Sequence, residues 1–486
     1  MSAGSMALTI IFVTIVIATL VGVWAGRHRS MDLEQWSVGG RSFGTLLIWL
    51  LMAGEIYTTF TYLGASGWAY SQGAPVFYIP VYGTLAYIFS YFLLPAVWRV
   101  GKRLRLVTQP DFFVARYEKR WVGALFAIIG VIFMIPYLEL QLSGLGEIVQ
   151  IASYGAIAPQ WAMVIAFLLT AIFVYVSGLR GSAWVSVIKD SFMLILVIAL
   201  GLLIPAHYFG SPLGMLHRMS EVQPQHLVLP GATQNHGISW FISTVLLTGI
   251  GFFMWPQSFG AVYSSKDEQT IRKNAILLPF YQIMFFFIIF VGLTAFLVLP
   301  KLENGDFALM SVVKQTYPAW VVGLAGAGGT LAAMVPASVL LMGSGTLIAR
   351  NIWQGLFRPH ASVTSVATMA RWAVFPLAAI ALYFAIAAPS ALVNLLLIGY
   401  DGVTQFIVAV VLGLLWRRTS IAGVVSGLVV GEIVVGSLLI RHHDPLWGIN
   451  AGVWALAANL VVTVVVSLFT PPARAGFERI RQALQD

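Results

Sequence analysis

The chain has 486 residues, of which 59% are hydrophobic and only 9% are charged, and its mean hydropathy is +0.88. A soluble domain carries about 25% charged residues, so this composition excludes a water-soluble protein and predicts one that lies in a lipid bilayer. The sequence contains no cysteine, which excludes disulfides, thiol nucleophiles, cysteine zinc sites and iron–sulfur clusters. The formal net charge of +9 would suggest a nucleic-acid partner in a soluble protein, but here the placement of the charges matters more than their sum.

Apolar runs long enough to cross a bilayer recur along the whole chain. A spanning helix needs about 20 mostly apolar residues, and by this measure the sequence predicts thirteen spans. We therefore expect an all-α integral membrane protein that forms a single domain over residues 1–486. Numbered one to thirteen, the predicted spans are Ala7–Ala25, Gly44–Tyr70, Val76–Val97, Val122–Leu145, Trp161–Ser177, Trp184–Tyr208, Trp240–Phe259, Ala275–Leu299, Val321–Ala349, Trp372–Ala388, Ala391–Leu415, Ser420–Ile440 and Trp447–Phe469.

The positive charges outside the spans fall almost entirely on one side of the membrane. With the N-terminus outside, the outer loops carry few of them, Lys189 lies within a span, and every other lysine and arginine faces the cytoplasm. Cytoplasmic loops carry the excess of lysine and arginine, so we expect an outer N-terminus and a cytoplasmic C-terminus in a bacterial inner membrane. The membrane topology then explains the excess of positive charge, and we expect no nucleic-acid partner. The outer positive charges are Arg218, Lys301, Lys314 and Arg441.

Span two carries a polar cluster in the middle of the membrane. The segment Met52–Thr61 combines a glycine, a carboxylate, a tyrosine and three threonines. Such a cluster is typical of a locally unwound helix that lines an aqueous cavity, because backbone groups freed in a membrane must find partners. Glu55 is a candidate substrate contact and proton carrier, and the alternative is a structural hydrogen bond to a neighbouring helix. The candidate substrate-binding residues of this span are Glu55, Tyr57, Thr58 and Thr59.

Span seven is interrupted in a similar way. The segment Leu247–Gln257 holds two glycines and a proline, which weaken helix continuity, and aromatic side chains that offer an apolar wall. Interrupted helices at corresponding positions of two halves are typical of the binding site of a transporter built from inverted repeats. The pair of broken spans therefore predicts a secondary transporter whose substrate lies between spans two and seven. The candidate substrate-binding residues of span seven are Thr248, Phe252, Trp255 and Gln257.

Three further spans carry polar residues. Tyr137 and Gln141 are four residues apart on span four, share a helical face and are candidates to line the substrate pathway. Lys189 lies beside Asp190 about one turn into span six, and it either takes part in ion coupling or extends its ammonium to the membrane surface. Asp401 is flanked by glycines in span eleven, and both a functional role and structural pairing are open for it.

Five short stretches, in order and suitably spaced, resemble the sodium/solute symporter family and together cover nearly the whole chain. They lie before span two, after span three, before span six and between spans eleven and twelve. The stretches are Gln35–Gly44 (QWSVGGRSFG), Leu106–Tyr117 (LVTQPDFFVARY), Ser177–Trp184 (SGLRGSAW), Leu414–Arg418 (LLWRR) and Ala422–Gly423 (AG).

The resemblance implies a LeuT-type fold. Spans two to six (residues 44–208) and seven to eleven (residues 240–415) are expected to form two inverted repeats, preceded by one helix at 7–25. Two helices at 420–469 and a cytoplasmic tail at 470–486 are expected to follow. The resemblance also implies import of a small solute, driven by sodium.

A sodium site between the broken part of span two and span nine is implied as well. In the family, sodium binds backbone carbonyls and two adjacent hydroxyl residues on span nine, with an aspartate of span six nearby. Sodium is a hard cation that takes oxygen ligands, but Val335 and Pro336, at the two hydroxyl positions, supply none. The other positions of this degenerate site are Gly54, Tyr57 and Ala332 for the carbonyls and Ser186 for the aspartate.

Two explanations of this departure stay open. Ser338 can supply an oxygen if Pro336 shifts the helix, or the alignment is off by a few residues. Alternatively the protein works without sodium: the Lys189 ammonium stands in for the ion, while a titratable group such as Glu55 or Asp401 carries a proton. We favour the second explanation, in which the coupling ion is H⁺ instead of Na⁺.

The polar segment of span two resembles bacterial monocarboxylate permeases most closely within the family. Gly54–Thr61 and Gly67–Tyr70 carry this resemblance, which implies a small carboxylate substrate such as lactate, pyruvate or propionate, or else alanine. Helix N-termini at the breaks can receive a carboxylate, and Phe252 and Trp255 can enclose a short apolar tail. Glu55 would repel an anion unless it is protonated, which favours coupled uptake of acid and proton.

Two other functions stay open. An ordinary sodium-coupled symporter for another small solute, such as an amino acid, is compatible with the same fold, as is a solute sensor or leak pathway. An enzyme is not expected, because the sequence shows no metal cluster, nucleophile triad or phosphate loop. We expect no cofactor, with lipid and a small carboxylate as the only partners that the sequence indicates, and the oligomeric state stays open.

Overall fold

Helices make up the membrane domain of the computed structural model, which describes residues 2–26 and 32–485. Eleven helical segments in the described residues are long and apolar enough to cross a membrane, and two bent helix pairs raise the number to thirteen. The predicted all-α membrane fold is therefore confirmed. Arg27 and Arg29, which enter the charge count of the sequence, lie outside the described residues.

Long helices alternate with short ones at the ends and breaks of the spans. There are two π-helical segments in the described residues: Phe60–Gly64 runs directly into α4, and Leu347–Phe357 continues α15. The helices are α1 Ala3–Gly26, α2 Leu33–Val38, α3 Thr45–Ile56, α4 Ala65–Ser71, α5 Tyr78–Arg103, α6 Gln109–Tyr117, α7 Arg120–Ala152, α8 Pro159–Phe209, α9 Pro212–Val222, α10 Ile238–Gly251, α11 Pro256–Tyr263, α12 Glu268–Tyr281, α13 Ile283–Val298, α14 Ala308–Thr316, α15 Ala319–Thr346, α16 Val363–Ala387, α17 Leu392–Val403, α18 Phe406–Leu415, α19 Ile421–Ile440, α20 Ala451–Phe469 and α21 Arg474–Gln485.

Span two is broken in mid-membrane. After α3 ends at Ile56, the chain bends by 54° before helical structure resumes at Phe60. The Thr58 N–H and the Thr61 hydroxyl both donate to the Ile56 carbonyl, at 3.1 and 2.7 Å. Thr58 Oγ1 accepts from the Phe60 N–H at 3.1 Å. These threonines stabilise the break because an unsatisfied backbone group in a bilayer is costly.

Span seven breaks between α10 and α11, with a bend of 46°. Pro256 begins α11, where its missing N–H costs no helical hydrogen bond. Gly251 ends α10 against Thr404, which lies between α17 and α18 in span eleven: a Cβ on Gly251 would lie 1.9 Å from the Thr404 hydroxyl oxygen. Only glycine therefore permits this close approach, and the break of span seven contacts span eleven.

Spans five and six join more directly than the sequence predicts. They form one run of helix, α8, that is interrupted only at Gly178, with φ +61° and ψ −171°. A side chain at Gly178 would also meet the Trp36 ring at 2.8 Å. The predicted turn between the two spans is thus reduced to a single glycine hinge.

The two ends of the helix bundle differ in charge. We call the end where α5 terminates and α12 begins the basic end, and the other the opposite end. α21 packs across the basic end, where the buried Arg116 donates to the carbonyls of Gly413 and Ala473 at 2.9 and 2.7 Å. Arg479 of α21 pairs with Glu118 at 2.8 Å. The predicted tail is therefore a docked helix.

Candidate substrate cavity and cation position

The Lys189 ammonium is buried against the break of span two. Its Nζ donates to the backbone carbonyls of Gly54 and Tyr57, each at 2.8 Å, and lies 3.0 Å from Oδ1 of Asp190. The side chains of Lys189 and Asp190 are both 0% exposed. Lys189 does not extend to the membrane surface, because two freed carbonyls and a carboxylate satisfy its ammonium in the interior.

Two tyrosines hold the backbone around this ion pair. The Tyr57 hydroxyl donates to the Tyr281 carbonyl, and the Tyr281 hydroxyl donates to the Asp190 carbonyl at 2.8 Å. The two rings pack with their centroids 4.4 Å apart. Both the carbonyl and the hydroxyl of Tyr57 therefore serve the region around Lys189.

Span nine presents an apolar face at the predicted hydroxyl positions. Val335 and Pro336 are buried within α15, which continues through the proline without ending. Ala332, the third predicted carbonyl position, is buried one turn earlier, and its carbonyl lacks the usual helical donor because Pro336 has no N–H. Neither hydroxyl position of the resemblance thus offers a side-chain oxygen.

The nearby serines are engaged with one another. Ser338 donates to the Val335 carbonyl at 2.6 Å and its hydroxyl lies 2.8 Å from that of Ser182. Ser186 donates to the Ser182 carbonyl at 3.0 Å and lies against Gly54, where a Cβ would come within 2.7 Å of its hydroxyl oxygen. The shift of helix that would turn Ser338 into a sodium ligand is not seen, since α15 keeps its course.

These contacts test whether a sodium ion fits the position that the resemblance implies. Two of the three predicted carbonyls, those of Gly54 and Tyr57, already accept from an ammonium. A sodium ion beside Lys189 would add a second positive charge in a buried region, which is unfavourable. The residues present therefore do not fit a sodium ion at this position.

A narrow cavity, the central cavity, lies between the two broken spans. Its volume of about 30 Å³ gives room for about two water molecules. Spans two and seven supply most of the wall, and α5, α7 and α17 complete it. The lining residues are Met52, Glu55, Ile56, Phe60, Tyr82, Tyr137, Phe252, Phe253, Trp255, Gln257, Ser258, Leu396 and Tyr400.

Two buried acceptor oxygens of the central cavity have no hydrogen-bond partner among the described residues. The Glu55 carboxyl faces the Ser258 hydroxyl, but its Oε1 is buried with no partner among the described residues. Oε1 of Gln257 is likewise buried without a partner in the described part of the chain. The Tyr137 hydroxyl is occupied, since it donates to the Glu55 carbonyl at 2.8 Å. A proton on Glu55 or a donor group of a substrate would satisfy these acceptors.

Aromatic rings form the apolar walls of the central cavity. The Trp255 ring lies 4.9 Å from the ring of Tyr137 and 5.3 Å from that of Tyr400, measured between centroids. Tyr82 contacts Phe252 at 5.9 Å in the same way. These contacts enclose the space beside Glu55 and limit the size of any solute that it can hold.

Five predicted substrate-binding residues line the central cavity, namely Glu55, Tyr137, Phe252, Trp255 and Gln257. The other predicted residues lie outside its lining. Thr59 donates to Gln141 Oε1 at 2.9 Å, and both are fully buried between spans two and four. Thr248 donates to the carbonyl one turn earlier, at 2.6 Å. The hydroxyls of Thr59 and Thr248 therefore serve helix packing in this conformation.

Sequence reasoning missed several residues of the lining. Tyr82 of α5 and Tyr400 of α17 face the cavity, and Leu396 lies one turn before Tyr400. Ser258 follows the predicted Gln257. A sequence signal existed only for Tyr400, a tyrosine beside the glycine-flanked Asp401 in an apolar span.

Asp401 lies beside the central cavity but does not line it. Its carboxylate packs against α20, where a Cβ on Gly452 would lie 2.7 Å from Oδ1. The Gln405 amide donates to the carbonyls of Asp401 and Gly452, at 3.0 and 3.3 Å. These contacts connect span eleven with the last span.

Sequence comparisons identify the class of protein to which this architecture belongs. Residues 36–431 match the sodium:solute symporter family, and the chain belongs to this family. It is therefore a secondary-active solute symporter with multiple membrane spans, and it is not an enzyme.

Relatives cover nearly its whole length. The chain is 42% identical to the uncharacterized symporter YhjB of Bacillus subtilis, over 97% of this chain and 98% of the relative. It is 29% identical to the monocarboxylate transport permease protein of Rhizobium johnstonii, over 96% of this chain and 98% of that protein. These two relatives share the family, and the second carries a substrate class in its name.

Solved structures show the LeuT-type fold. A Na⁺-coupled sialic acid symporter has a TM-score of 0.80 at 18% identity, covering 97% of this chain and 99% of that one. The nucleobase-cation-symport-1 transporter Mhp1 has a TM-score of 0.55 at 12% identity, covering 92% and 94%. At these identities the likeness concerns the fold alone.

Proposed function

We propose that this protein imports a short monocarboxylate together with a proton, and that it does so without sodium. The observation that carries the coupling proposal is the Lys189 ammonium on the Gly54 and Tyr57 carbonyls. A lysine ammonium at the break takes the position that an ion would otherwise occupy. A different group then has to couple solute binding to the proton gradient across the membrane.

Glu55 is the group that we assign to this link. Its carboxyl stands in the central cavity with Oε1 unsatisfied among the described residues. An anionic substrate and a charged Glu55 repel each other in a small enclosed space, so the acid binds when Glu55 has taken up a proton. The pair then moves as an electroneutral unit.

The substrate class rests on cavity size and on the relatives. A cavity with room for about two water molecules suits a solute of few heavy atoms, with modest widening on binding. The permease from Rhizobium johnstonii is named for monocarboxylate transport. The N-terminus of α11 begins at the cavity wall, and its positive dipole end favours a carboxylate.

The membrane orientation and the repeats belong to the same proposal. The basic end faces the cytoplasm of a bacterial inner membrane, because positively charged loops stay inside. Residues 44–208 and 240–415 form the two inverted repeats, which fits their two mid-membrane breaks. The helices at 7–25 and 420–469 then flank this core, and the tail at 470–486 lies in the cytoplasm.

A sodium-coupled symporter of another small solute is the second candidate. Sodium/proline symporters of Staphylococcus aureus are 22% identical to this chain over 98% of its length. Against this candidate stands the ammonium at the implied ion position.

A ligand screen tests the proposal. We expect lactate, pyruvate and propionate to raise the melting temperature of the purified protein more at about pH 5.5 than at about pH 7.5, and equally with and without sodium. Proline, alanine and sialic acid serve as comparison solutes. Stabilisation that requires sodium and ignores pH would contradict the proposed coupling, and stabilisation by one of the comparison solutes alone would contradict the substrate class.

A further inference from the structure

We propose that the solute leaves the central cavity toward the basic end along a route with two closures, the Gln257 side chain and a hydrogen-bonded latch. The latch is formed by Thr108, Asp111, Arg350 and Asn351. The proposal rests on the proposed function in one respect, namely that the central cavity holds the transported solute.

Gln257 is the first closure. A second cavity of about 20 Å³, the inner cavity, lies beyond it between α2, α11 and α15. Gln257 lines both cavities, so its side chain is the partition between them. Its Oε1 has no partner among the described residues, so no hydrogen bond through this oxygen locks the partition. Gly343 leaves room beside it, since a Cβ there would approach Gln257 Cβ to 3.1 Å.

The latch is the second closure. Thr108 lines the inner cavity and donates to Asn351 Oδ1 at 2.8 Å. The Asn351 amide donates in turn to Asp111 Oδ1 at 3.0 Å. Arg350 Nε reaches both oxygens of Asp111, at 2.9 and 2.7 Å. This cluster ties the start of α6 to the π-helical segment after α15 and seals the floor of the inner cavity.

A wider pocket of about 240 Å³ lies on the far side of the latch, at the basic end. Asp111, Arg350 and Asn351 line it together with Arg120. Gln257 lines both the central and the inner cavity, and the hydrogen bond from Thr108 to Asn351 joins the wall of the inner cavity to the wall of this pocket. The arginines of this pocket favour an anion that moves from the membrane interior toward the basic end.

The latch is built to open. Asn351 belongs to the π-helical segment Leu347–Phe357, and π-helical turns recur at functional sites because their hydrogen bonds rearrange easily. Thr108 caps α6, where its hydroxyl also accepts from the Asp111 N–H at 3.2 Å. Asn351 can therefore leave Thr108 while the cap of α6 remains.

The absence of cysteine from the chain makes the route directly testable. Thr346→Cys places a single thiol in the wall of the inner cavity with a side chain of similar size. The full-length protein is studied in membrane vesicles of defined orientation, with a charged, membrane-impermeant thiol reagent on one side. Gln354→Cys in the basic pocket is the accessible control, and Tyr383→Cys, 65% exposed on the membrane face of α16, is the lipid-buried control.

We expect the reagent to reach Thr346→Cys from the basic end and not from the opposite end. Adding Asn351→Ala removes the two latch bonds of Asn351 and accelerates this labelling about tenfold, while the rate at Gln354→Cys stays the same. Adding Gln257→Ala instead admits the reagent from the opposite end when the central cavity is open to that side. Each variant is first shown to melt cooperatively near the wild-type temperature.

Two outcomes overturn the route: labelling of Thr346→Cys from the opposite end alone, or an unchanged rate in the Asn351→Ala background. Failure of the proposed function is distinguishable. If the central cavity does not bind monocarboxylates, lactate leaves the labelling of Thr346→Cys unaltered, while the effect of Asn351→Ala persists without any solute.

Discussion

The two sides of the break in span two differ in how their polar groups are satisfied. Toward span six, the carbonyls of Gly54 and Tyr57 accept from the Lys189 ammonium. The same ammonium pairs with Asp190, whose carboxylate oxygens otherwise have no hydrogen-bond partner among the described residues. Toward span seven, Glu55 and Gln257 each keep a buried acceptor without a partner among the described residues. The same few residues of backbone thus face a buried ion pair on one side and acceptors without a partner on the other.

This difference separates support from transport. A buried ion pair whose ammonium is held by two backbone carbonyls keeps its geometry and responds little to what surrounds it. A buried acceptor without a partner is costly until a proton, a water molecule or a solute arrives, so it is the part that responds to binding. In the proposed mechanism the Lys189 ion pair is the fixed support, and the response to binding lies with Glu55.

The largest effect is expected from removing the ammonium. Lys189→Ala leaves two carbonyls and the Asp190 carboxylate without their partner, and breaking a buried ion pair in this way costs about 3–5 kcal/mol. We expect a large fall in melting temperature and no uptake. Lys266→Ala, which loses only an exposed pair at 3.8 Å to Asp267, is the control and should change stability by less than about 0.5 kcal/mol. A Lys189→Ala protein as stable as the wild type would contradict the support role.

Replacing Glu55 tests the responsive side. Glu55→Gln keeps the shape of a protonated carboxyl, so we expect normal stability and solute binding that no longer depends on pH. Uptake driven by a pH gradient should fall about tenfold or more, because the amide cannot take up and release the proton that couples the solute to the gradient.

Glu139→Gln is the matched control for Glu55→Gln, because Glu139 is a buried carboxyl of the membrane domain that lies outside the central cavity. Uptake by the Glu139→Gln variant should match uptake by the wild type. Equal loss in both variants would show that any buried carboxyl matters, which would remove the special role of Glu55.

Much of the comparison could be predicted from the sequence. Glycine, proline and threonine patterns place both breaks, since these residue types fix where a membrane helix can open. The apolar pair Val335 and Pro336 pointed to the loss of a sodium site. That the Lys189 ammonium takes the place of the ion could be suggested only from the family resemblance, because the residues next to Lys189 give no sign of which helix it contacts.

The cavity walls show the same limit. Tyr82 comes from a span with no polar pattern that marks the cavity position, and only the packing of α5 against α17 brings it beside Tyr400 at the cavity wall. The sequence predicts Thr58 and Thr59 as substrate contacts, yet the Thr58 hydroxyl accepts from the backbone at the break and the Thr59 hydroxyl donates to Gln141. A hydroxyl in a broken helix can serve either purpose, and only the path of the chain decides.

A pH series separates the latch from the responsive side. Burial disfavours the charge on Asp111, but Arg350 and the Val107 N–H outweigh it and hold the pKa of this carboxyl below its ordinary value of 3.8. A depressed pKa means that the ion pair is fully present above that value and is lost only as the pH falls through the lower one. In a protein that keeps the Asp111–Arg350 ion pair, the labelling rate of Thr346→Cys should therefore stay constant between about pH 5.5 and 7.5. A rate that rises in this range would assign the pH response to the latch.

The smallest effect is expected from removing the Tyr137 hydroxyl, which bonds the Glu55 backbone at the break in span two. Tyr137→Phe removes one hydrogen bond to the Glu55 carbonyl, worth about 1 kcal/mol, and should raise the KM of uptake about fivefold with little change in maximal rate. Tyr175→Phe, outside the central cavity in α8, is the control. An unchanged KM would show that this bond does not position Glu55 for the solute.

The most direct test of the account is uptake of labelled lactate by proteoliposomes under one imposed gradient at a time. An inward pH gradient without sodium should drive accumulation above equilibrium, and an inward sodium gradient at equal pH should drive none. Accumulation that follows the sodium gradient and ignores the pH gradient would contradict the replacement of the ion by Lys189.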